Sequence, residues 1–517
     1  MLNMFEEDAK SKNNSAKKRE RGAVASYAYT IVQIVVNLLY VPLLLTCIGQ
    51  EEYGLYQIVA SVMAYIGTIN TVLSSGVGRY YSMYFAEQDF KMMENTLAIA
   101  KRIYWIVSFV VLMLVVLLVP IVRLVYSNSF TDVQLDEFSI MLIILAINLV
   151  VNFNNAINIA VINSNERFVF LKLTQLFVVV IQPAAILVIT QFFPNVIVVS
   201  LVTLAASLIG AILQRIYAKS ILKAKYTYHG LDKTLLKGLF KYSSTVVLVI
   251  IADQLFWNTG KLVIAYYFGA SVVAVYAIGA QINSVYMTLG GVVSSVFFQR
   301  ISDLYHHNHD FRTISSLFIK VGRITFFVCS IVLGGFIVIG QDFVSVWAGD
   351  GFDDAYFVAL ALMLPITVDL VQNLGLTVMQ VSGKYGFRGQ IYILLSLVSV
   401  VVCVIAAPMV GNIGVACISG ACALLGNGPI MNWYYWKKLH LDIRRFWKEL
   451  GKLFMLVCIT LIVSVALYNF LKLYFDGLLL MIIGGAIYLV FWFVVMFNWG
   501  VNSEEKAMIG MLVRNRK

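Results

Sequence analysis

Three ionisable residues stand inside otherwise apolar stretches of this chain: Asp253, Lys261 and Asp369. If those stretches cross a bilayer, each charge costs about 3 kcal/mol on insertion scales, which marks it as a functional candidate. Asp253 and Lys261 are eight residues apart, about 12 Å along a helix that rises 1.5 Å per residue. Eight residues also turn the helix about 80° past two full turns, so the two side chains occupy adjoining faces and form no firm pair. Asp253, and Asp369 beside Gln372 and Asn373, suit a proton or cation site, whereas Lys261 suits an anion contact. The competing reading is structural: ion pairs that hold helices together, or a lysine that snorkels outward.

Arg79 and Arg300 offer planar, paired donors to an anionic group, or else anchor helix ends at an interface. Arg102 and Arg323 form a second pair and read as anchors. Gln33 with Asn37, and Gln254 with Asn258, are spaced by four and share one helix face. They could bond a hydroxyl-rich ligand or a neighbouring helix, and the run Asn148, Asn152, Asn154, Asn155 and Asn158 admits the same two readings. His306, His307 and His309 crowd a polar connection without a metal-ligand pattern, and GKYG at 383–386 lacks the Walker spacing. No metal and no nucleotide cofactor is expected, which leaves a coupling ion, H⁺ or Na⁺, as a source of energy.

The elements that must position these residues are long and apolar. Of 517 residues 60% are hydrophobic and 13% charged, about half the charge of a soluble domain. Runs long enough to cross a hydrocarbon core recur from Gly22 to Trp499, and helices are the structure that satisfies its own backbone there. The expected spans are 22–47, 54–77, 101–122, 138–161, 169–192, 195–218, 242–267, 272–298, 318–340, 356–380, 389–409, 413–435, 453–471 and 477–499. With the N-terminus inside, only Arg123, Lys261 and Lys472 of the 38 Lys and Arg residues fall outside, leaving 35 within. That bias sets the orientation, with both termini cytoplasmic, and it makes the net charge of +11 a property of one face that favours anionic lipids. Nucleic acid is excluded as the reason for it.

No cleavable leader is expected, since the first apolar run is a full span. The six cysteines all fall in spans and carry no disulfide argument. Acids such as Glu51, Glu52, Asp342, Asp350, Asp353 and Asp354 mark the short outside loops. Inside, residues 231–241 and 441–452 are amphipathic, each opened by Leu-Asp with Asp as N-cap, and are expected as interfacial helices or as plain basic connectors.

The chain also repeats itself. An offset of 221 aligns Arg79, Tyr84, Asp89, Phe90, Arg102 and Ile103 with Arg300, Tyr305, Asp310, Phe311, Arg323 and Ile324, and aligns Gln33 and Asn37 with Gln254 and Asn258. An offset of 220 aligns Gly49 and Tyr56 with Gly269 and Tyr276. The expected organisation is a cytoplasmic tail (1–21), an N-lobe (22–218), a linker with an interfacial helix (219–241) and a C-lobe (242–436). An interfacial helix with the last two spans (437–499) and a second tail (500–517) follow. An even number of spans per repeat makes the lobes parallel, and transporters built from such halves bind substrate between them.

The stretches RGAVASYAY, PLLLTCIGQEEYGLYQIVASVMAYI and SSGVGRYYSMYF, with Gly49, Tyr53, Gly54 and Tyr56 as the most specific positions, resemble the Wzx-type polysaccharide flippases. These belong to the multidrug/oligosaccharidyl-lipid/polysaccharide exporter superfamily. The resemblance covers the whole topology and implies an all-α, MATE-like fold of about fourteen transmembrane helices: two six-helix lobes and a C-terminal pair. It implies a substrate too, an undecaprenyl-diphosphate-linked oligosaccharide of O-antigen, capsule or exopolysaccharide assembly, moved across the bacterial inner membrane. Arg79, Arg300 and Lys261 would then meet the diphosphate, with Gln33, Asn37, Gln254 and Asn258 on the sugars and Asp253 and Asp369 coupling an ion. A monomer is expected, with membrane lipids and other polysaccharide-assembly membrane proteins as partners. A cation-coupled multidrug extruder is the alternative. An enzyme is not expected, because no large outer loop exists to carry catalytic groups.

Overall fold

The computed structural model describes residues 2–230, 232–295, 297–307, 311–502 and 505–506. Side chains are described from Arg21 onward, apart from 23, 233–247, 295, 298, 299, 306 and 307 within those ranges. Among the described residues there is no strand. The helices are α1 (Leu2–Glu87), α2 (Phe90–Tyr126), α3 (Asp132–Ser164), α4 (Phe168–Thr190), α5 (Val196–Ile216), α6 (Lys233–Ser295) and α7 (Phe298–His307). They continue with α8 (Phe311–Ala348), α9 (Asp353–Val371), α10 (Asn373–Val381), α11 (Gly386–Leu425), α12 (Met431–Lys438), α13 (Ile443–Leu471) and α14 (Gly477–Val495). Short π-helical turns follow α5, α11 and α14 at Tyr217–Ile221, Gly426–Ile430 and Met496–Gly500.

Eleven described helices are long and apolar enough to cross a membrane. Their outward faces carry large apolar side chains such as Leu124, Met409 and Ile462, which water would not tolerate over so wide a surface. The protein is therefore a multi-pass membrane protein. Three helical stretches are unusually long: Val24–Glu87, Leu248–Ser294 and Gly386–Lys438. Each contains one non-helical glycine: Gly49 (φ 82°, ψ 169°), Gly269 (φ 79°, ψ −175°) and Gly411 (φ 65°, ψ −166°). That region of backbone space is open essentially to glycine alone. All three glycines fall in connections that hydropathy placed between consecutive spans, and the repeat-related pair Gly49 and Gly269 adopt the same conformation.

Side chains close the helix ends where the sequence offers them. Asp89 accepts the amide of Met92 at 3.0 Å, and Asn195 that of Ile197 at 2.7 Å. Thr131 and Gln134 form a reciprocal capping box. Asp442 accepts the amide of Arg445 at 3.1 Å, the N-cap expected for that segment. The helix it opens is not a separate interfacial one: residues 443–452 are the first turns of α13, continuous with the thirteenth expected span. The 231–241 segment likewise runs into α6 from Lys233, and the side chains of 233–247 lie outside the described residues.

Two compact units emerge, residues 1–274 and 275–517. In the first, α1 packs on α3 and α4, and α3 on α2 and α5. In the second, α8 packs on α9, α13 and α14, and α9 on α11. Its core joins Phe318, Tyr435 and Phe446 to Leu374 and Leu450. The division by packing falls inside α6, beyond the 219–241 linker from which the repeat was parsed, so the seventh expected span packs with the first unit.

Candidate functional site

In the first unit, residues 259–271 of α6, on both sides of Gly269, touch α1 and α2. The Tyr65 hydroxyl bonds the Thr259 hydroxyl, Gln50 donates to the Ser271 carbonyl at 3.0 Å, and Tyr126 donates to the Leu262 carbonyl at 3.2 Å. A glycine makes the approach possible. A Cβ on Gly54 would overlap the Ala270 carbonyl oxygen and sit 2.6 Å from its carbon. Lys261 sits in this contact, partly buried, and donates from Nζ to Gln57 Oε1 at 3.2 Å. Its hydrogen-bond partner is thus an amide of α1 and not Asp253, in keeping with the spacing of the two residues along α6. An ammonium has three donors, so Lys261 keeps capacity for an anionic group.

Asp253 is partly buried two turns before Lys261. Asn258 donates to Gln254 at 2.6 Å, so these two residues of one face bond each other. Gln33 and Asn37, their counterparts on α1, are partly buried, and Arg79 and Arg300 are exposed. The asparagines of α3 mostly follow the structural reading. Asn155 donates to Gln214 at 2.8 Å, Gln214 to Thr174 at 3.1 Å and Asn158 to Asn155 at 3.2 Å. Asn154 reaches Ser108 at 3.3 Å.

Asp369 has a partner that the sequence reading did not name. Arg388 Nη2 donates to Asp369 Oδ2 at 3.4 Å, with both side chains largely buried. Asp369 lies in the last turn of α9, and Gln372 breaks the helix before α10 begins. The tenth expected span is therefore two helices. Arg102 and Arg323, read together as anchors, part company. Arg102 stacks on the Tyr228 ring at 3.6 Å, whereas Arg323 is buried and bonds Glu505 at 2.9 and 3.0 Å, Glu449 at 3.1 Å and the Gly500 carbonyl at 2.8 Å. Burial pushes the Glu505 carboxyl up, but its bonds to Arg323 and to the Asn502 amide outweigh this and hold it below its usual range. Of the histidines grouped at 306–309, His309 lies outside the described residues, as do the side chains of His306 and His307. No cluster of metal-ligating side chains occurs among the described residues.

Two further features went unread. Glu52, in the connection after the first expected span, accepts the Val196 amide at 3.2 Å, while Asn195 donates to Glu137 at 3.0 Å. Burial first and the Glu137 carboxylate second push Glu52 up to about 7. The second is an apolar groove of about 490 Å³ between α8, α9 and α13, lined by residues including Phe326, Leu333, Leu364, Val371, Phe454 and Leu461. The signal for it was present in the sequence, since α13 lies outside the repeat, but its partners depend on packing.

The fold is similar to those of solved flippase and multidrug-transporter structures. A structure described as "Lipid II flippase MurJ, inward closed conformation" matches with TM-score 0.67 and 17% identity, over 92% of this chain and 99% of that one. An inward-facing multidrug resistance MATE family transporter matches with TM-score 0.65 and 12% identity, over 82% and 99%. An outward-facing conformation of such a transporter gives 0.58 and 12%, over 83% and 96%. No curated protein sequence matches. Residues 43–357 match the family model "Polysaccharide biosynthesis protein", and the chain belongs to that family.

Proposed function

We propose that this protein is a flippase that carries undecaprenyl-diphosphate-linked oligosaccharides from the cytoplasmic to the outer leaflet of the bacterial inner membrane by alternating access. The observation that carries the reading is the family match over residues 43–357. The groove against α13 supports it, because a substrate with a long isoprenoid tail needs an apolar surface besides its polar site. Lys261 supports it by offering ammonium donors beyond its bond to Gln57. In this reading Arg79, Arg300 and Lys261 meet the diphosphate, and Gln33, Asn37, Gln254 and Asn258 the sugars. The fourteen crossings count the three glycine-kinked helical stretches twice, with both termini in the cytoplasm, and the protein works as a monomer with no organic cofactor.

A cation-coupled multidrug extruder is the second reading, favoured by the carboxylate of Asp253 on α6. For Asp369, the Arg388 contact favours the structural role. Reconstitution separates the two functions. Proteoliposomes holding a fluorescent undecaprenyl-diphosphate glycan should expose it to an outer-leaflet glycosidase faster than empty vesicles do. Cation-driven uptake of a lipophilic dye with no glycan movement would replace the flippase reading by the extruder.

A further inference from the structure

The second unit contains a chain of buried polar side chains at the break between α9 and α10. Gln372 occupies the break (φ −105°, ψ 12°) and its Nε2 donates to the Asn427 carbonyl. Asn427 belongs to the π-helical turn Gly426–Ile430, and its Nδ2 donates to the Tyr392 hydroxyl at 2.7 Å. The Arg388 guanidinium lies 4.6 Å from the centre of the Tyr392 ring and reaches Asp369 with Nη2. Gln372 and Asn427 are 1% exposed and Arg388 5%. Even so, Gln372 Oε1, Asn427 Oδ1, Arg388 Nε and Arg388 Nη1 have no hydrogen-bond partner within the protein. So many orphan atoms in one bonded group are unusual in a folded interior.

Their chemistry selects the ligand. Two are guanidinium nitrogens that only donate, and two are amide oxygens that only accept. An anion would suit Arg388 but meet the Asp369 carboxylate, which already offsets that charge, and the two carbonyl oxygens. A cation would suit the oxygens but meet the guanidinium. A small neutral molecule that both donates and accepts satisfies all four. We propose that Arg388, Gln372 and Asn427 enclose ordered water, which joins the guanidinium to the amide oxygens and makes the break in the tenth span a wet joint. Ordered water is one of the devices that re-satisfy broken helices at membrane depth, and buried waters commonly bridge such groups. The joint connects α9, α10, α11 and the π-helical turn through exchangeable bonds, so α9 and α10 can change their angle while polar groups stay satisfied.

The test is radiolytic hydroxyl labelling of the full chain in detergent, read by mass spectrometry. Tyr392 is 2% exposed and Tyr488 is 1% exposed, so bulk solvent labels neither. Radicals born from bound water should modify Tyr392 several-fold faster than Tyr488, whose hydroxyl is spent on the Ser330 carbonyl. Replacing the charge pair with apolar groups, Asp369→Leu with Arg388→Met, should bring Tyr392 down to the Tyr488 rate. Equal, background labelling of both tyrosines in the unmodified protein would show the joint to be dry and overturn the proposal. So would fast Tyr392 labelling that persists in the double variant. If that variant does not fold, the comparison in the unmodified protein still decides. The outcome is independent of what the protein transports.

Discussion

Replacing Gly54 by alanine tests the contact that brings α6 against α1. The new Cβ would overlap the Ala270 carbonyl oxygen and stand 2.6 Å from its carbon, whereas ordinary van der Waals contact begins at 3.4 Å. Both obstacles are backbone atoms, so no rotamer change relieves them. The helices must separate by roughly 1 Å, and overpacking of that kind costs about 1–3 kcal/mol. The separation would also strain the bonds from Gln50 to Ser271 and from Lys261 to Gln57. Gly78, on the same helix, is the control: a Cβ there meets nothing within 4 Å. Alanine at 78 should be neutral or stabilising by up to about 1 kcal/mol, the usual gain over glycine inside a helix. Thermal unfolding of the two purified variants, followed by loss of helical circular dichroism, measures the difference. A Gly54→Ala protein that melts with Gly78→Ala would refute the argument, because the close approach would then be absent from the dominant state.

Three other outcomes can be checked. Under the proposed function, Lys261→Ala should slow transport of the anionic lipid-linked glycan and Asp253→Asn should change its ion dependence, at normal protein levels; two variants at the wild-type rate would make both residues structural. The Glu52 carboxyl is raised in the folded state, so the fold binds its proton more tightly than the unfolded chain does, and stability falls as pH rises from the ordinary carboxylate range to about 7. Glu52→Gln should therefore gain about 1 kcal/mol over the unmodified protein at pH 8, after discounting for the part of Glu52 that water screens, and nothing near pH 4; a pH-independent difference in melting temperature would show that the Glu52 carboxyl is not raised in the fold. Arg323→Met strands Glu505 and Glu449 without their buried partner, a loss of about 3 kcal/mol, and Glu505→Gln in that background should recover part of it; a melting temperature unchanged by Arg323→Met would show the network to be dispensable.

Hydropathy was enough to place most of the apolar helices, because a bilayer imposes length and polarity on each span separately, but it did not show the break at Gln372 inside the tenth expected span. The repeat put Gly49 and Gly269 at matching places between spans, and the structure shows both in a backbone conformation that glycine alone takes easily. A side-chain partner was legible where the spacing was local, as with the cap at Asp442, whereas Gln254 and Asn258, read as facing a ligand or another helix, bond each other. Arg323 looked like the repeat mate of Arg102 and so like an anchor. Its real partners, Glu449, Gly500 and Glu505, lie more than a hundred residues away, on segments that the repeat does not contain.

The same distinction separates the two intramembrane carboxylates. By sequence, Asp253 and Asp369 were both ion-coupling candidates, each an acid in an apolar run. Arg388 follows Asp369 by nineteen residues, at the start of the next long helix, where an arginine reads as one more basic connector. Folding brings it inward at 5% exposure, while Arg167, which the 221-residue offset places opposite it, stays exposed at the start of α4. A buried guanidinium that loses its carboxylate is left as an uncompensated charge, so a coupling ion at Asp369 would have to compete with Arg388 for the same oxygens. That competition weakens Asp369 as an ion site and turns its role toward holding Arg388 at the break in the tenth span. Asp253 is the carboxylate that the proposed function assigns to ion coupling.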